Sequence, residues 1–164
     1  MAITHRKIFY TIFCKAAILG FAALAIVFQS CKSKGAKKTY QSNCDAGISF
    51  KRVSFTRLID SIDDYDQKYI EVDGTYEEGK DESALVNDSL FVDHSSERAL
   101  WVNFSQDCPL YLVGTRQGIF EYSDGGFTQL KNKSLTIRGK IDVRHKGHLG
   151  SYRGTIERVS FVKL

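Results

Sequence analysis

Two stretches of the chain alternate apolar and polar side chains with a period of two. In 133–144, Leu135, Ile137, Gly139, Ile141 and Val143 alternate with Thr136, Arg138, Lys140, Asp142 and Arg144. Successive side chains of a strand point to opposite faces, so this is the pattern of a strand buried on one side. In 68–76, Ile70, Val72 and Tyr76 share one face while Tyr69, Glu71 and Asp73 share the other. Gly74 inside that run marks a bend or a close backbone approach. A third strand is predicted in 99–105, with Leu100, Val102 and Phe104 inward and Ala99, Trp101 and Asn103 outward, and a weaker fourth in 84–93 after a turn at 79–83. The last, 152–163, places Ile156 and Val159 three apart before Phe161 resumes the two-residue period, so a bulge near Glu157 and Arg158 is expected. Ahead of all of these, Phe55, Leu58, Ile59 and Ile62 recur at helical spacing behind Ser54 and predict a short helix ended by Asp63, Asp64 and Asp66. The segment 106–130 contains the single proline, Pro109, and no clean period, so it reads as irregular or as a small hairpin.

One internal echo bears on architecture. Residues 68–76, KYIEVDGTY, match 133–141, KSLTIRGKI, in the pattern K-x-[IL]-x-[VI]-x-G-x. The echo is too isolated for a solenoid. Two long strands of a small closed barrel both curve sharply, and a glycine at the same point in each relieves crowding. The run 54–76 resembles the opening of exported bacterial OB-fold domains, a short helix followed by a Tyr, a turn, a Lys and V-x-V-x-G. The 133–143 run is similar to their fourth strand, which neighbours the first. The resemblance covers roughly 54–162 and implies an all-β domain, a five-stranded OB-like barrel with a short N-terminal helix. It departs between strands three and four, where that family carries a helix and 116–130 offers poor helix material.

The N-terminus reads differently. Residues 1–15 carry Arg6, Lys7 and Lys15 and no acid, and 16–28 is an unbroken run of thirteen uncharged, largely apolar residues. That is short of the about 20 residues a spanning helix needs, and it fits an export signal. The run ends Phe28-Gln29-Ser30-Cys31, which resembles a bacterial lipobox of the looser, Bacteroidetes type. The resemblance implies that Cys31 is acylated and tethers the protein to a lipid bilayer. The expected organisation is a lipoprotein signal peptide over 1–30, a lipidated flexible tether over 31–43 and an OB-like domain over 44–164. The Lys-Ser-Lys-Gly that follows Cys31, lacking an acidic run, favours the periplasmic face of the envelope over surface display.

Removing the signal changes two inferences. The formal charge of +4 rests on 23 basic and 19 acidic residues; without 1–30 they nearly balance, so the charge gives no argument for nucleic acid. Of the four cysteines, Cys14 leaves with the signal and Cys31 takes the lipid. Cys44 and Cys108 remain in an oxidising compartment, either as a disulfide fastening the tether to the body or as two free thiols.

The remaining charge is segregated. Residues 60–97 hold 13 acids and 2 bases, and 131–163 hold 9 bases and 2 acids. If strands one and four pair, Glu71 or Asp73 can neutralise Arg138 or Lys140 across the ladder. The other reading is a basic stripe, Arg138, Lys140, Arg144, Lys146 and Arg153, facing an anionic ligand or an envelope protein. Tyr69, Trp101 and Tyr152 would add aromatic faces of the kind oligonucleotide-binding OB surfaces use, although export argues against a nucleic-acid partner. His145 and His148 with Asp142, and remotely His94, are the metal or catalytic candidates; they lack the three or four local ligands zinc requires. No catalytic motif or cofactor fingerprint is present, so no cofactor is expected. The reading is an envelope-anchored binding or adaptor domain. Its contact surface would lie on strands two and three around Trp101, with 145–152, including His148, as a rim loop. Alternatively Trp101 belongs to a satellite core beneath 106–130.

Overall fold

The computed structural model describes residues 37–90, 95–123 and 125–164. The expected signal peptide, acylated Cys31 and His94 lie outside these residues. Among the described residues no helix is long and apolar enough to cross a membrane. The elements in chain order are β1 (Thr39–Gln41), β2 (Lys51–Arg52), α1 (Phe55–Asp60), β3 (Tyr69–Gly79), β4 (Glu82–Val86), β5 (Leu100–Val102), β6 (Tyr111–Leu112), β7 (Lys133–Asp142) and β8 (Gly154–Lys163). A 3-10 turn, Ile62–Tyr65, follows α1.

Five of the strands close a ring. β3 pairs with β4, β4 with β5, β5 with β8, β8 with β7, and β7 again with β3. All of these pairs are antiparallel except β5 with β8. Numbering the ring strands one to five, the order is 1-2-3-5-4-1, the OB-like barrel that the N-terminal run and the echo led us to expect. Ile70, Val72, Tyr76, Leu85, Leu100, Val102, Leu135, Ile137, Ile141 and Ile156 fill its interior.

The echo becomes a pseudo-two-fold relation. The two segments lie against each other in register from Tyr69 opposite Lys140 to Tyr76 opposite Lys133. Each glycine therefore faces the other segment's large aliphatic, Gly74 opposite Leu135 and Gly139 opposite Ile70. Both are crowded by the next strand of the ring. A Cβ on Gly74 would stand 2.7 Å from Leu85 Cγ and 2.8 Å from the Val86 carbonyl oxygen; one on Gly139 would stand 2.6 Å from Ile156 Cγ2 and 2.7 Å from the Glu157 oxygen. The relation extends to the turns before the strands. Gln67 and Asn132 both adopt positive φ, 59° and 57°. The Gln67 N–H donates to the Ile141 carbonyl and the Asn132 N–H to that of Tyr76, each at 2.8 Å.

The register of β7 against β8 shifts between Arg138 and Lys140, where Arg138 faces Phe161 and Lys140 faces Glu157. Arg158, at φ 48°, sits at this bulge, where the sequence placed it. Beyond it the inward positions are Val159 and Val162; Phe161, expected inward, lies on the outer face and is only half-buried. A second three-residue step through the bulge costs the period its regularity.

The two ends of the barrel are closed by different material. At the helix end, Leu58 and Ile59 of α1 with Ile62 and Tyr65 of the following turn enter the core. At the loop end, 103–132 crosses from β5 to β7, where the OB-fold domains this chain resembles carry a helix. It inserts Leu110, Ile119 and Leu130 into the same core, and its described residues are otherwise irregular apart from β6 and two bridges, Tyr111 with Gly118 and Ser123 with Gly126.

Three expectations require correction here. The flexible tether does not extend to residue 43: Thr39–Gln41 pair with both β8 and β6, and Tyr40 is fully buried with its hydroxyl 2.8 Å from Thr128 Oγ1. β8 outruns β5 at the loop end, and β1 takes the vacant ladder, which supplies the order that the local sequence lacks. The weak strand in 84–93 starts earlier and ends sooner, as Glu82–Val86, because the expected 79–83 turn tightens to Lys80 and Asp81. The third strand ends at Val102, not Ser105.

Candidate functional site

In OB-folds the face of strands two and three and its neighbouring loops receive the ligand. On this face Ala84 and Val86 from β4 and Ala99 and Trp101 around β5 form a second apolar cluster outside the barrel. Leu100 and Val102 point inward, so Trp101 points outward. The three small residues leave a trough, and the loop between β7 and β8 lies in it. Tyr152 is buried there with its ring 5.2 Å from that of Trp101, edge to face. The backbone of Gly147, at φ 65°, rests on the indole so closely that a Cβ would fall 2.7 Å from it. Trp101 is thus neither an open contact residue nor part of a core beneath 106–130. It is half-buried under its own rim loop.

That loop is held in an unusual shape. Leu149 and Gly150 follow Gly147 with φ of 54° and 69°, and a left-handed conformation costs an L-residue roughly 1–2 kcal/mol. Leu149 is nevertheless 89% exposed, so no packing of its side chain explains the strain. His148 beside it is exposed.

Below the loop lies an open depression of about 660 Å³ lined by Arg98, Lys146, Tyr152 and Arg153 together with Asp60 and Glu97. Three segments build it: the end of α1, the turn before β5 and the β7–β8 loop. Arg153 Nε donates to the Ile59 carbonyl at 3.3 Å, which fixes that side chain to the helix.

The candidates on β3 and β7 form a separate face. Glu71 accepts from Arg138 Nε at 2.6 Å and also pairs with Arg52, which reaches Asp73 as well. Asp73 accepts from Thr136 at 2.6 Å. The Arg138 guanidinium lies 4.4 Å from the Phe161 ring centre and 5.6 Å from that of Phe50, which meets Tyr69 edge-on at 5.6 Å. Burial opposes the charge on Glu71, but the hydrogen bonds from Arg138 and Arg52 outweigh it and hold its pKa below the usual value. Arg138 is therefore spent within the ladder. The single basic stripe divides: Tyr69, Arg138 and Lys140 lie on the β3–β7 face, Arg144 on the turn after β7, and Lys146 and Tyr152 at the depression.

At that turn the buried Asp142 binds three partners. Its Oδ1 accepts from the N–H groups of Arg144 at 2.8 Å and His145 at 3.3 Å, and its Oδ2 lies 2.8 Å from His145 Nδ1. Glu157 Oε1 approaches the same nitrogen at 3.2 Å. The hydrogen bond and charge of Asp142, then Glu157, raise the His145 pKa. On Asp142 burial works the other way, but the N–H of Arg144 and the imidazole prevail and lower its pKa. The His145 ring nitrogen between the two carboxylates clamps the start of the loop to Asp142 and Glu157. Asp142, His145 and Glu157 are also the one set at this turn that could ligate a divalent cation. His148, expected to join them, is absent from the set. Glu157 escaped the sequence reading because only the β7–β8 pairing brings it beside residue 145. The other group of ligand-type side chains, Cys44, Asp45 and Cys108, is unsuited to metal because the cysteines are joined.

That disulfide, with Cα atoms 5.3 Å apart, fastens the segment after β1 to the 103–132 crossing. Arg158 at the bulge secures the same point, donating to Asp45 Oδ1 at 2.7 Å and to the Cys44 carbonyl at 3.1 Å. The outer surface of the crossing is apolar: Val113, Phe120, Tyr122 and Phe127 are each more than half exposed. Phe120 packs edge-on to Phe104 at 5.1 Å and Tyr122 to Phe127 at 5.3 Å. Sequence reading left 106–130 without a site, since the exposed aromatics follow no period. Comparison with protein-family models, with curated proteins and with solved structures finds no match to this chain.

Proposed function

We propose that the protein is a lipid-anchored binding or adaptor domain of the bacterial cell envelope, attached through Cys31 and presenting the helix end of its barrel to an anionic ligand or partner. The observation that carries the reading is the depression lined by Arg98, Lys146, Tyr152 and Arg153 beneath a loop whose tip, Leu149, is strained and exposed. The turn is held by hydrogen bonds of Ser151 to His148 and of Tyr152 to Lys146 while the Leu149 side chain stays exposed, an arrangement common at contact sites, and three cations against the two acids Asp60 and Glu97 suit an anionic group. The customary OB surface is closed by Tyr152 and Gly147, so the open site is displaced to the far side of that loop. The neutralisation of Arg138 by Glu71 removes the extended basic stripe that a polyanion-binding reading needs.

Native mass spectrometry of the protein purified from envelope extract tests this. A retained anionic species should be present on the wild type and lost from Arg98→Glu/Lys146→Glu. Identical spectra for the two proteins would reject the site. The anchor is tested separately by metabolic labelling with a fatty-acid analogue, which should mark the wild type and not Cys31→Ala. Protease added to intact cells should leave the domain uncut if it faces the periplasm.

A further inference from the structure

We propose that the loop end of the barrel seats on the lipid bilayer, with Val113, Phe120, Tyr122 and Phe127 in the headgroup region, so that the helix end faces away from the membrane. The inference rests on the anchored reading above and gives the anchored domain an orientation.

The path of the chain is the first argument. β1 runs antiparallel to β8, so Thr39 lies opposite Lys163 at the loop end. The Lys38 carbonyl accepts from the Leu164 N–H and the Thr39 carbonyl from the Val113 N–H, both at 2.9 Å. The polypeptide thus enters the barrel at this end, directly beside the exposed apolar segment. From Lys37 back to Cys31 there are six residue steps, which span at most about 20 Å when fully extended. A bilayer holding an acyl chain on Cys31 is confined to within that distance of Lys37.

Surface chemistry is the second argument. Tyr is enriched where protein meets the headgroup layer because its ring is apolar and its hydroxyl polar, and Phe and aliphatic side chains on an interfacial face bury into the boundary of headgroups and acyl chains. The exposed set combines two Phe, one Tyr and one Val on a crossing fixed to the chain's point of arrival by the β1–β6 pairing and by Cys44–Cys108. Exposed Lys37, Lys38, Arg116, Lys131 and Lys163 lie on or next to these same segments and outnumber the exposed acids described on the crossing, Asp107 and Glu121, the second of which accepts from the Gly118 N–H; near a membrane surface basic side chains are drawn to anionic headgroups. The acidic tip of the β3–β4 hairpin, with Glu77, Glu78 and Asp81, is at the same end of the barrel. It belongs to the side of the ring opposite β8, away from β1, so a tilt toward β1 keeps it in water.

The membrane-associated full chain, reconstituted in phosphatidylethanolamine and phosphatidylglycerol vesicles with a nitroxide at a shallow acyl position, provides the test. Trp fluorescence is compared among the unsubstituted protein, Phe127→Trp and Leu149→Trp; Trp101 contributes the same background to all three. Fluorescence of the residue 127 indole should shift to the blue and be quenched, while that of residue 149 should do neither. Quenching of neither, or of both alike, overturns the orientation, as does protection of the crossing only when a partner protein is added. Both sites are exposed, and unchanged thermal unfolding of each variant confirms that the fold is intact. Acylation is read independently by mass of the Cys31 peptide. If Cys31 carries no lipid, the anchored reading fails. The same fluorescence comparison on the chain mixed with vesicles then decides whether the aromatic surface binds lipid unaided or whether this proposal fails too.

Discussion

The helix end and the loop end of this barrel close the same core with opposite kinds of chain. At the helix end, apolar residues at helical spacing seal the opening, and the loop above is held by an imidazole between two carboxylates, a tyrosine edge-on to an indole and a glycine pressed on that indole. At the loop end an aperiodic crossing does the sealing with three separated aliphatics, and a disulfide and two short strands hold it. The first arrangement buries nearly all its large side chains and leaves polar groups around a depression. The second leaves four large apolar side chains outside. A periodic segment can sort its side chains between core and water; an aperiodic one that must also cover a barrel end cannot, and its surplus apolar surface becomes available for contact.

Removing the disulfide should separate the two ends most sharply. Cys44→Ser/Cys108→Ser releases a closed loop of 64 residues, a loss of about 4 kcal/mol by chain-entropy reckoning. Hydrogen exchange should rise first in 103–132 and β1, not in α1; uniform exchange throughout would mean that the ends are not independently held. Trp101→Ala should cost about 3 kcal/mol and free the β7–β8 loop to proteolysis at the helix end, while leaving the loop end protected. A melting temperature unchanged by that substitution would show the loop to be merely resting on the indole. Gly74→Ala and Gly139→Ala should each cost about 2 kcal/mol, because the added methyl meets backbone oxygen that cannot retreat. Equal costs in chemical denaturation would show that the pseudo-two-fold pair is indifferent to which end it faces, and unequal ones that one end yields. The smallest effect concerns pH. With the folded pKa of His145 raised, the clamp is fully formed below the ordinary imidazole value of about 6.5, and its contribution is lost as pH rises through the higher folded value. Thermal unfolding followed from pH 6 to 9 should show this decline in the wild type and not in His145→Gln.

Much of the ring was legible before any coordinates. The strict alternation of 133–144 and 68–76 identified β7, β3 and the inward side of each, and the resemblance to OB-fold domains, with which the glycine echo agreed, made them neighbours. The three-residue step from Ile156 to Val159 announced the bulge. What escaped was information not local to the segment concerned. β1 has a single apolar residue, Tyr40, and exists because β8 offers unpaired backbone groups. Phe161 was assigned by period inside a strand whose period the bulge had altered. The surface of Tyr69, Arg138, Lys140, Arg144, Lys146 and Tyr152 looked continuous along the sequence, yet ring closure sends its parts to different faces.

Sequence alone determined which side chains a strand presents to either face, where the backbone must approach closely, and that Leu100 and Val102 turn Trp101 outward. These follow from bond geometry and steric size and require only neighbouring residues. Tertiary structure decided what then lies over each outward face: Glu71 and two aromatic rings around Arg138, Glu157 beside His145, and Gly147 and Tyr152 over Trp101. Those partners lie between 12 and 88 residues away, and the free energy that selects them arises only when the barrel forms and excludes water from between them.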